Sequence, residues 1–271
     1  MHKNDFEVHL QKGEYDMLSS YKVDNAIIMA AGFSSRFAPL SDVIPKALLK
    51  VKGEIMIERQ IRQLIEAGIP DIYIVVGYKK ELFYYLGEKY GVHIVENPDY
   101  ETRNNHSSIY AVREYLGNSY ICSSDNYFME NVFEPYVYEP YYSAVYISGR
   151  TTEYCLSTNF NGRITHVNIG GSDSWCMMGH SYWDRNFSKN FVNLLEAEYD
   201  LPHTRDMYWE SIYIRHLDSL TLYIKKYPDG IIREFDSLDE LCLFDTAYIP
   251  YRDSLKQNSP VSPEIPKFLI S

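Results

Sequence analysis

The run from Val23 to Ala31 closes on AIIMAA, apolar on successive positions rather than alternate ones. A strand of that kind buries both faces and needs helices on each side, which places it inside a parallel sheet. The rest of the first half supplies such partners. Ile57, Ile61, Leu64 and Ile65 recur at helical spacing, and Gly68 supplies a stop. IYIVVGY (72–78) reads as a second strand, Lys79 to Tyr90 as a helix and VHIVE (92–96) as a third strand. A short helix near Ser108 to Tyr115 precedes a fourth strand, SYICSSD (119–125). Strand and helix alternating over short connections predict a doubly wound α/β sheet.

The second half changes character. YSAVYIS (142–148), EYCLST (153–158), RITHVNI (163–169) and SWCMMGHSYW (174–183) read as successive strands, with an Asn161–Gly162 turn. Helices are expected around Phe187 to Tyr199 and Met207 to His216, then a strand over 220–227. Ser237 with Glu240 three residues on marks a further helix start. Residues 1–22 are mixed and show no clear period, so they read as an extension or the end of a linker. One domain is expected over 23–247. A Pro- and Ser-rich tail is expected over 248–271.

The loop after the first strand, MAAGFSSRFAPLSDVIPKALLK (29–50), sits where open parallel sheets bind ligands, at the carboxyl end of a strand. Its small residues Ala30, Ala31, Gly32, Ser34 and Ser35 let backbone N–H groups approach an anion, and Arg36 and Lys46 add charge. The combination suits a polyphosphate; the alternative is an ordinary strand-to-helix loop with solvated cations. A Walker loop and a dinucleotide fingerprint are both excluded, since there is no G-K-[ST] and Gly32 stands alone. The formal net charge of -11 disfavours a nucleic-acid partner. No apolar run approaches the ~18 residues of a membrane span, and no signal peptide is visible. Cys122, Cys155, Cys176 and Cys242 form no C-x-x-C pair and read as small buried residues, which fits a cytoplasmic location. The five histidines from His106 to His216 show no metal-ligand spacing and read as structural.

AAGFSSRFAPLS…PKALLKV resembles the signature of the nucleotidyltransferases that activate sugar phosphates and phosphocholine, approximately A-A-G-x-G-[ST]-R-x-x-P-L…P-K-x-L. Within them the chain looks most like bacterial CTP:phosphocholine cytidylyltransferases. VGYKKELFYYLGEKYGV (76–92), NNHSSIY (104–110), SSDNYF (123–128), EYC (153–155), GHSYWD (179–184), RDMYWE (205–210) and REFDS (233–237) agree in order. Ser34 departs from the pattern, which has glycine there. The resemblance implies a Rossmann-like three-layer α/β/α nucleotidyltransferase fold, mostly parallel, with added antiparallel strands in the second half. It implies transfer of CMP from CTP to phosphocholine, with Mg²⁺ as cofactor, and fusion or association with a choline kinase as a partner.

The resemblance also assigns roles. Arg36 faces the β- and γ-phosphates and Lys46 the α-phosphate. Asp125, at a strand's carboxyl end, suits Mg²⁺, with Asp236 or Glu234 as second carboxylate. Asn104, Asn105, Gly77 and Tyr78 join the small-residue loop around the base. A quaternary ammonium has no N–H, so aromatic faces and a carboxylate would hold it. Tyr154, Tyr208, Trp209, Trp175 and Trp183 are the aromatic candidates, with Glu153 and Asp206 for charge. Two rivals stand beside this reading: a sugar-1-phosphate nucleotidyltransferase, and a catalytically silent nucleotide-binding module.

Overall fold

The computed structural model describes residues 1–255. These contain strands β1 (Asn25–Ala30), β2 (Lys50–Val51), β3 (Glu54–Ile55), β4 (Ile72–Val76), β5 (His93–Glu96), β6 (Ser119–Ser123), β7 (Asn126–Phe128), β8 (Tyr141–Thr158), β9 (Ile164–Trp183), β10 (Tyr223–Tyr227) and β11 (Ile232–Glu234). The helices are α1 (Lys3–Lys12), α2 (Met56–Glu66), α3 (Tyr85–Tyr90), α4 (His106–Ala111), α5 (Arg185–Glu198), α6 (Trp209–Arg215), α7 (Leu238–Phe244) and α8 (Ile249–Leu255).

Seven strands form one sheet in the order β10-β8-β9-β6-β1-β4-β5. The apolar run of β1 lies inside it, parallel to β4 on one side and to β6 on the other. Ala26, Ile27 and Ile28 have no exposed surface, as burial on both faces requires. Alternate β1 residues enter two separate cores. Ala26 and Ile28 join one with α2 residues Ile57, Ile61 and Leu64, while Ile27 joins another with Phe187, Phe191 and Leu195 of α5. The chain runs from β1 to β4 and β5, then returns to β6 on the other side of β1. The strand order therefore reverses beside β1, and the loops leaving β1 and β6 open a crevice there.

Antiparallel β9 joins β6 to β8 and confirms the expected added strands. The four separate strands read between 142 and 183 are two long ones. Their pairing is irregular around 147–151 and 154–158, where the polar stretch GRTTE bends the hairpin without ending it. The expected helix over 79–90 is a 3₁₀ turn, Lys80–Phe83, followed by α3. Ser237 caps α7, its hydroxyl accepting from the Glu240 N–H at 3.2 Å.

Residues 1–22 contain structure that their composition did not signal. Helix α1 ends on Gly13 in the left-handed region, at φ 70°. A 3₁₀ segment, Tyr15–Tyr21, follows. Tyr15 stacks on Tyr136 and Tyr21 on Tyr138, and the Val137 N–H donates to the Tyr21 carbonyl. Only Phe6 and Leu18 are fully apolar anchors, too few to give a period. At the other end α8 carries buried Tyr251 into the main core. The Pro-rich residues 256–271 of the expected tail lie outside the described residues. Leu18→Ala should lower the unfolding free energy by about 2–4 kcal/mol in a denaturant titration; an unchanged midpoint would mean that the segment contributes nothing to the fold.

Candidate active site

A cleft of about 670 Å³ opens at the carboxyl edge of β1 and β6. Its floor includes Ala30, Ala31 and Asp125; Arg36 and Lys46 come from one wall, and Asn105, Asp206 and Tyr208 from the other. A Cβ at Gly32 would meet nothing within 4 Å, so this glycine exposes its backbone to the cleft. Ser34 lies at φ 51°, in the left-handed region. Glycine, which the resembled signature has here, takes this conformation freely, and the serine keeps the turn at some strain.

Two opposite-charge pairs span the cleft. Lys46 is buried at the end of its loop. Its Nζ donates to Asp125 Oδ2 at 2.8 Å and to the Phe235 carbonyl at 2.7 Å. Arg36 is exposed and reaches Asp236 Oδ1 at 2.7 Å. The sequence-predicted cations and carboxylates therefore converge, although they lie far apart along the chain. β11 brings in the last group: it pairs antiparallel with β7, immediately after Asp125, and so sets Glu234 opposite Asn126.

Charge is crowded here. Burial works against the Asp125 carboxylate, but the Lys46 charge and hydrogen bond outweigh it and hold its pKa below the ordinary value. Glu234 behaves oppositely. The residue is exposed, yet loss of hydration beside its neighbours, followed by the Asp125 charge, pushes its pKa up to about 8. Glu153 is raised by burial and then by Asp236, with Arg36 opposing. Asp125 Oδ1 is buried and has no hydrogen-bond partner of normal geometry among the described residues.

Several other expected residues are placed differently. Trp183 and Trp209 do not line the cleft. They are fully buried, 5.0 Å apart in edge-to-face contact, within the core that contains Phe187 and Phe191. Trp175 lies on the long hairpin, in contact with Tyr146 and beneath Lys226. Gly77 and Tyr78 stand behind the wall. A Cβ on Gly77 would come within 2.5 Å of the Tyr100 ring, and Tyr78 packs on Phe33 while donating to the Ser41 carbonyl. Tyr100 and Phe33 are the aromatic groups that line the cleft there.

Asn104 and Asn105 do reach the cleft, but their amides, expected to read a base, are engaged with the protein. Asn104 Nδ2 donates to the Asp206 carbonyl at 3.1 Å, and its Oδ1 accepts from the Asn105 N–H. Asn105 Oδ1 accepts from the Trp209 N–H at 2.7 Å, and its Nδ2 donates to Glu210 at 3.4 Å. Tyr154 touches Ser211, its hydroxyl 3.5 Å from the serine's. Glu210 was not picked out in the sequence. Its signal was its position next to Trp209, one residue beyond the aromatic pair that drew attention.

Comparison with known proteins fits this geometry. Residues 26–131 match the MobA-like NTP transferase domain. The chain is 37% identical to a 2-aminoethylphosphonate cytidylyltransferase from Lancefieldella rimae over 85% of its length, covering 96% of that protein. The chain belongs to the cytidylyltransferase family. It is also 35% identical to the choline-phosphate cytidylyltransferase of Streptococcus pneumoniae, over 79% of this chain and 94% of that one. The solved structure of the CTP:phosphocholine cytidylyltransferase from the same organism matches with a TM-score of 0.80 at 34% identity. That match covers 83% of this chain and 99% of the other. The Rossmann-like nucleotidyltransferase fold and the resemblance to this cytidylyltransferase family both hold, and they support a nucleotidyltransferase enzyme. No helix among the described residues is long and apolar enough to cross a membrane.

The Glu234 shift gives a signed expectation. The folded state holds its proton up to about pH 8, while the unfolded chain releases it near 4.5. Its contribution to stability is therefore lost as pH rises between those values. In chelator-treated protein, Glu234→Gln should flatten the fall in Tm from pH 5 to pH 8 and be the more stable form at pH 8. Parallel curves for the two proteins would show that Glu234 titrates normally.

Proposed function

We propose that this cytidylyltransferase transfers CMP from CTP to phosphocholine, releasing pyrophosphate. The observation that carries the reading is the Lys46–Asp125 pair, set at the reversal point of the sheet with Arg36–Asp236 beside it. An acceptor phosphate oxygen attacks the α-phosphorus. The bond from that phosphorus to the oxygen bridging to the β-phosphorus breaks, and pyrophosphate departs with the electron pair. Both reactants are anions, so alignment and charge neutralisation dominate the barrier. Lys46 is held to face the α-phosphate and the incoming oxygen, and Arg36 to exchange Asp236 for the departing pyrophosphate.

Arg36 and Lys46 are already matched by Asp236 and Asp125, with Glu153 and Glu234 near them, and these two pairs by themselves do not favour an anionic ligand, although Arg103 and Arg205 also line the cleft. A divalent cation would reverse that balance. The buried Oδ1 of Asp125, which has no hydrogen-bond partner of normal geometry among the described residues, and the neighbouring Glu234 carboxyl are hard oxygen donors suited to Mg²⁺. Among the described residues no three His, Cys, Asp or Glu side chains form a complete metal cage. That fits an ion that takes one or two carboxylates and completes its shell with phosphates and water. Asp125 with Glu234 or Asp236 would hold it, and it would supply neutralisation of phosphate charge.

A second reading, transfer to 2-aminoethylphosphonate, has its own support. With Trp183 and Trp209 in the core, Tyr208 is the expected aromatic candidate that lines the cleft, and Tyr154 does not, which leaves little of an aromatic cage. Carboxylates are plentiful, which suits an ammonium with N–H donors. A relative of that activity matches across most of the chain. Pyrophosphate release with CTP, Mg²⁺ and either acceptor is expected, together with a fall in kcat of about 100-fold or more in Asp125→Ala. Turnover with glucose-1-phosphate and with neither nitrogen-bearing acceptor would overturn the proposal, as would a near-normal rate in Asp125→Ala.

A further inference from the structure

Cys155 and Cys176 meet where the long β8–β9 hairpin folds back on itself. Cys176 pairs with Val145 along one edge and with Cys155 along the other, and Cys155 pairs in turn with Asn168. Val145, Cys176, Cys155 and Asn168 therefore form one row across four passes of the chain. Residues directly opposite in such a row put their side chains on the same face. The two sulfurs are 3.5 Å apart. Opposed residues of a sheet have Cα atoms about 4.5–5.5 Å apart, inside the span of about 4.4–6.8 Å that a disulfide bridges. A bond of about 2.05 Å between these sulfurs therefore needs side-chain rotation and no shift of the backbone.

The surroundings keep the sulfurs together. A Cβ at position 171 would lie 2.9 Å from Cys155 Sγ, so Gly171 is what leaves the sulfur its place. The Gly171 backbone is outside the positive-φ region, so its conformation does not itself call for glycine. Each thiol otherwise meets a carbonyl of its own strand: Cys155 donates to that of Glu153 at 3.6 Å and Cys176 to that of Ser174 at 3.7 Å. Thiols are weak donors, and oxidation gives up little by removing these bonds. The other two cysteines, Cys122 and Cys242, are on β6 and α7. A route from solvent is present as well. Gly171 is exposed, and with Arg150, Thr151, Thr152 and Ser172 it lines an open depression on the hairpin. Cys155 lies directly behind that glycine, whereas Cys176 has no exposed surface. Burial, and then the hydrogen bond with Cys155, raise the Cys176 pKa and keep it a thiol.

We propose that Cys155 and Cys176 are a reversible oxidation site, which hydrogen peroxide converts to a disulfide that locks the fold-back of the hairpin. The Cys155 thiolate attacks a peroxide oxygen. The O–O bond breaks, and the departing hydroxide takes up the proton that the thiol gave. The Cys176 sulfur then attacks the sulfur of the Cys155 sulfenic acid, and the S–H proton leaves with the hydroxyl as a second water. Together the two thiols lose two electrons and two protons, and the peroxide becomes two waters. The segment so tied carries Glu153, the carboxylate that stands near Asp236 and Arg36. None of this chemistry depends on the reaction in the cleft.

Hydrogen peroxide added to the reduced whole protein, followed by alkylation, digestion and mass spectrometry, provides the test. The expected product is a linked pair of peptides joining Cys155 to Cys176, with two hydrogens lost, which dithiothreitol returns to thiols. In Cys176→Ser no internal link should form, and dimedone should trap Cys155 as its sulfenic acid. In Cys155→Ser, Cys176 should remain a thiol after the same exposure. Hydrogen–deuterium exchange reads the lock: amides of 151–156 and 168–176 should exchange about threefold or more slowly in the oxidised wild type than in the reduced, with β4 unchanged. The link and the exchange are read on the wild type, so a variant that fails to fold leaves the test intact. Survival of both thiols in peroxide, links only between molecules or to Cys122 or Cys242, a link that dithiothreitol does not open, or equal exchange in the two states would overturn the proposal.

Discussion

The ion pair between Lys46 and Asp125 is the interaction on which the rest of the cleft depends. It ties the loop after β1 to the end of β6 across the point where strand order reverses. A second bond, from Lys46 to the Phe235 carbonyl, draws in the segment that carries Glu234 and Asp236. Breaking such a pair by removing one partner leaves a buried charge uncompensated and costs about 3–5 kcal/mol, whereas a packed apolar pair in its place is often no worse. Stability alone therefore does not explain charged groups here. The proposed function supplies a reason: the pair keeps a lysine desolvated and oriented where a phosphate would replace the carboxylate.

The carboxylates make the same point from the other side. Asp125 stays ionised because of Lys46, and by staying ionised it makes ionisation of Glu234 unfavourable. The site is balanced only when a cation joins it or a proton stays.

Much of this was legible in the sequence because sheet topology is nearly sufficient to place it. Once β1 and β6 are parallel strands, their following loops share an edge, so Arg36, Lys46 and Asp125 must be neighbours. The approach of Asp236 and Glu234 followed from the resemblance, and the pairing of β7 with β11 supplies its physical cause. The tryptophans were misread because an aromatic residue does not reveal which face it occupies. The spacing that decides the matter was present in one case. Trp209, Ile212 and Tyr213 fall at i, i+3 and i+4, a core-facing stripe of α6, and all three are buried. Trp183 ends β9 opposite Ser119, and only the packing of α5 shows that it faces inward. The amides of Asn104 and Asn105 were harder still. Their partners lie about a hundred residues on, in the 206–210 segment, and no local pattern announces them. The N-terminal segment hid its structure for another reason, since two buried apolar anchors leave no period to detect.

In the proposed reaction Lys46 and Arg36 leave their carboxylate partners to become phosphate ligands. A crystal structure with Mg²⁺ and a CTP analogue that cannot release pyrophosphate tests this most directly. The expected result is Lys46 Nζ against an α-phosphate oxygen, Arg36 turned from Asp236 to the terminal phosphates, and the metal on Asp125. A nucleotide bound in the cleft with both ion pairs intact and its phosphates pointing away from Arg36, Lys46 and Asp125 would contradict it.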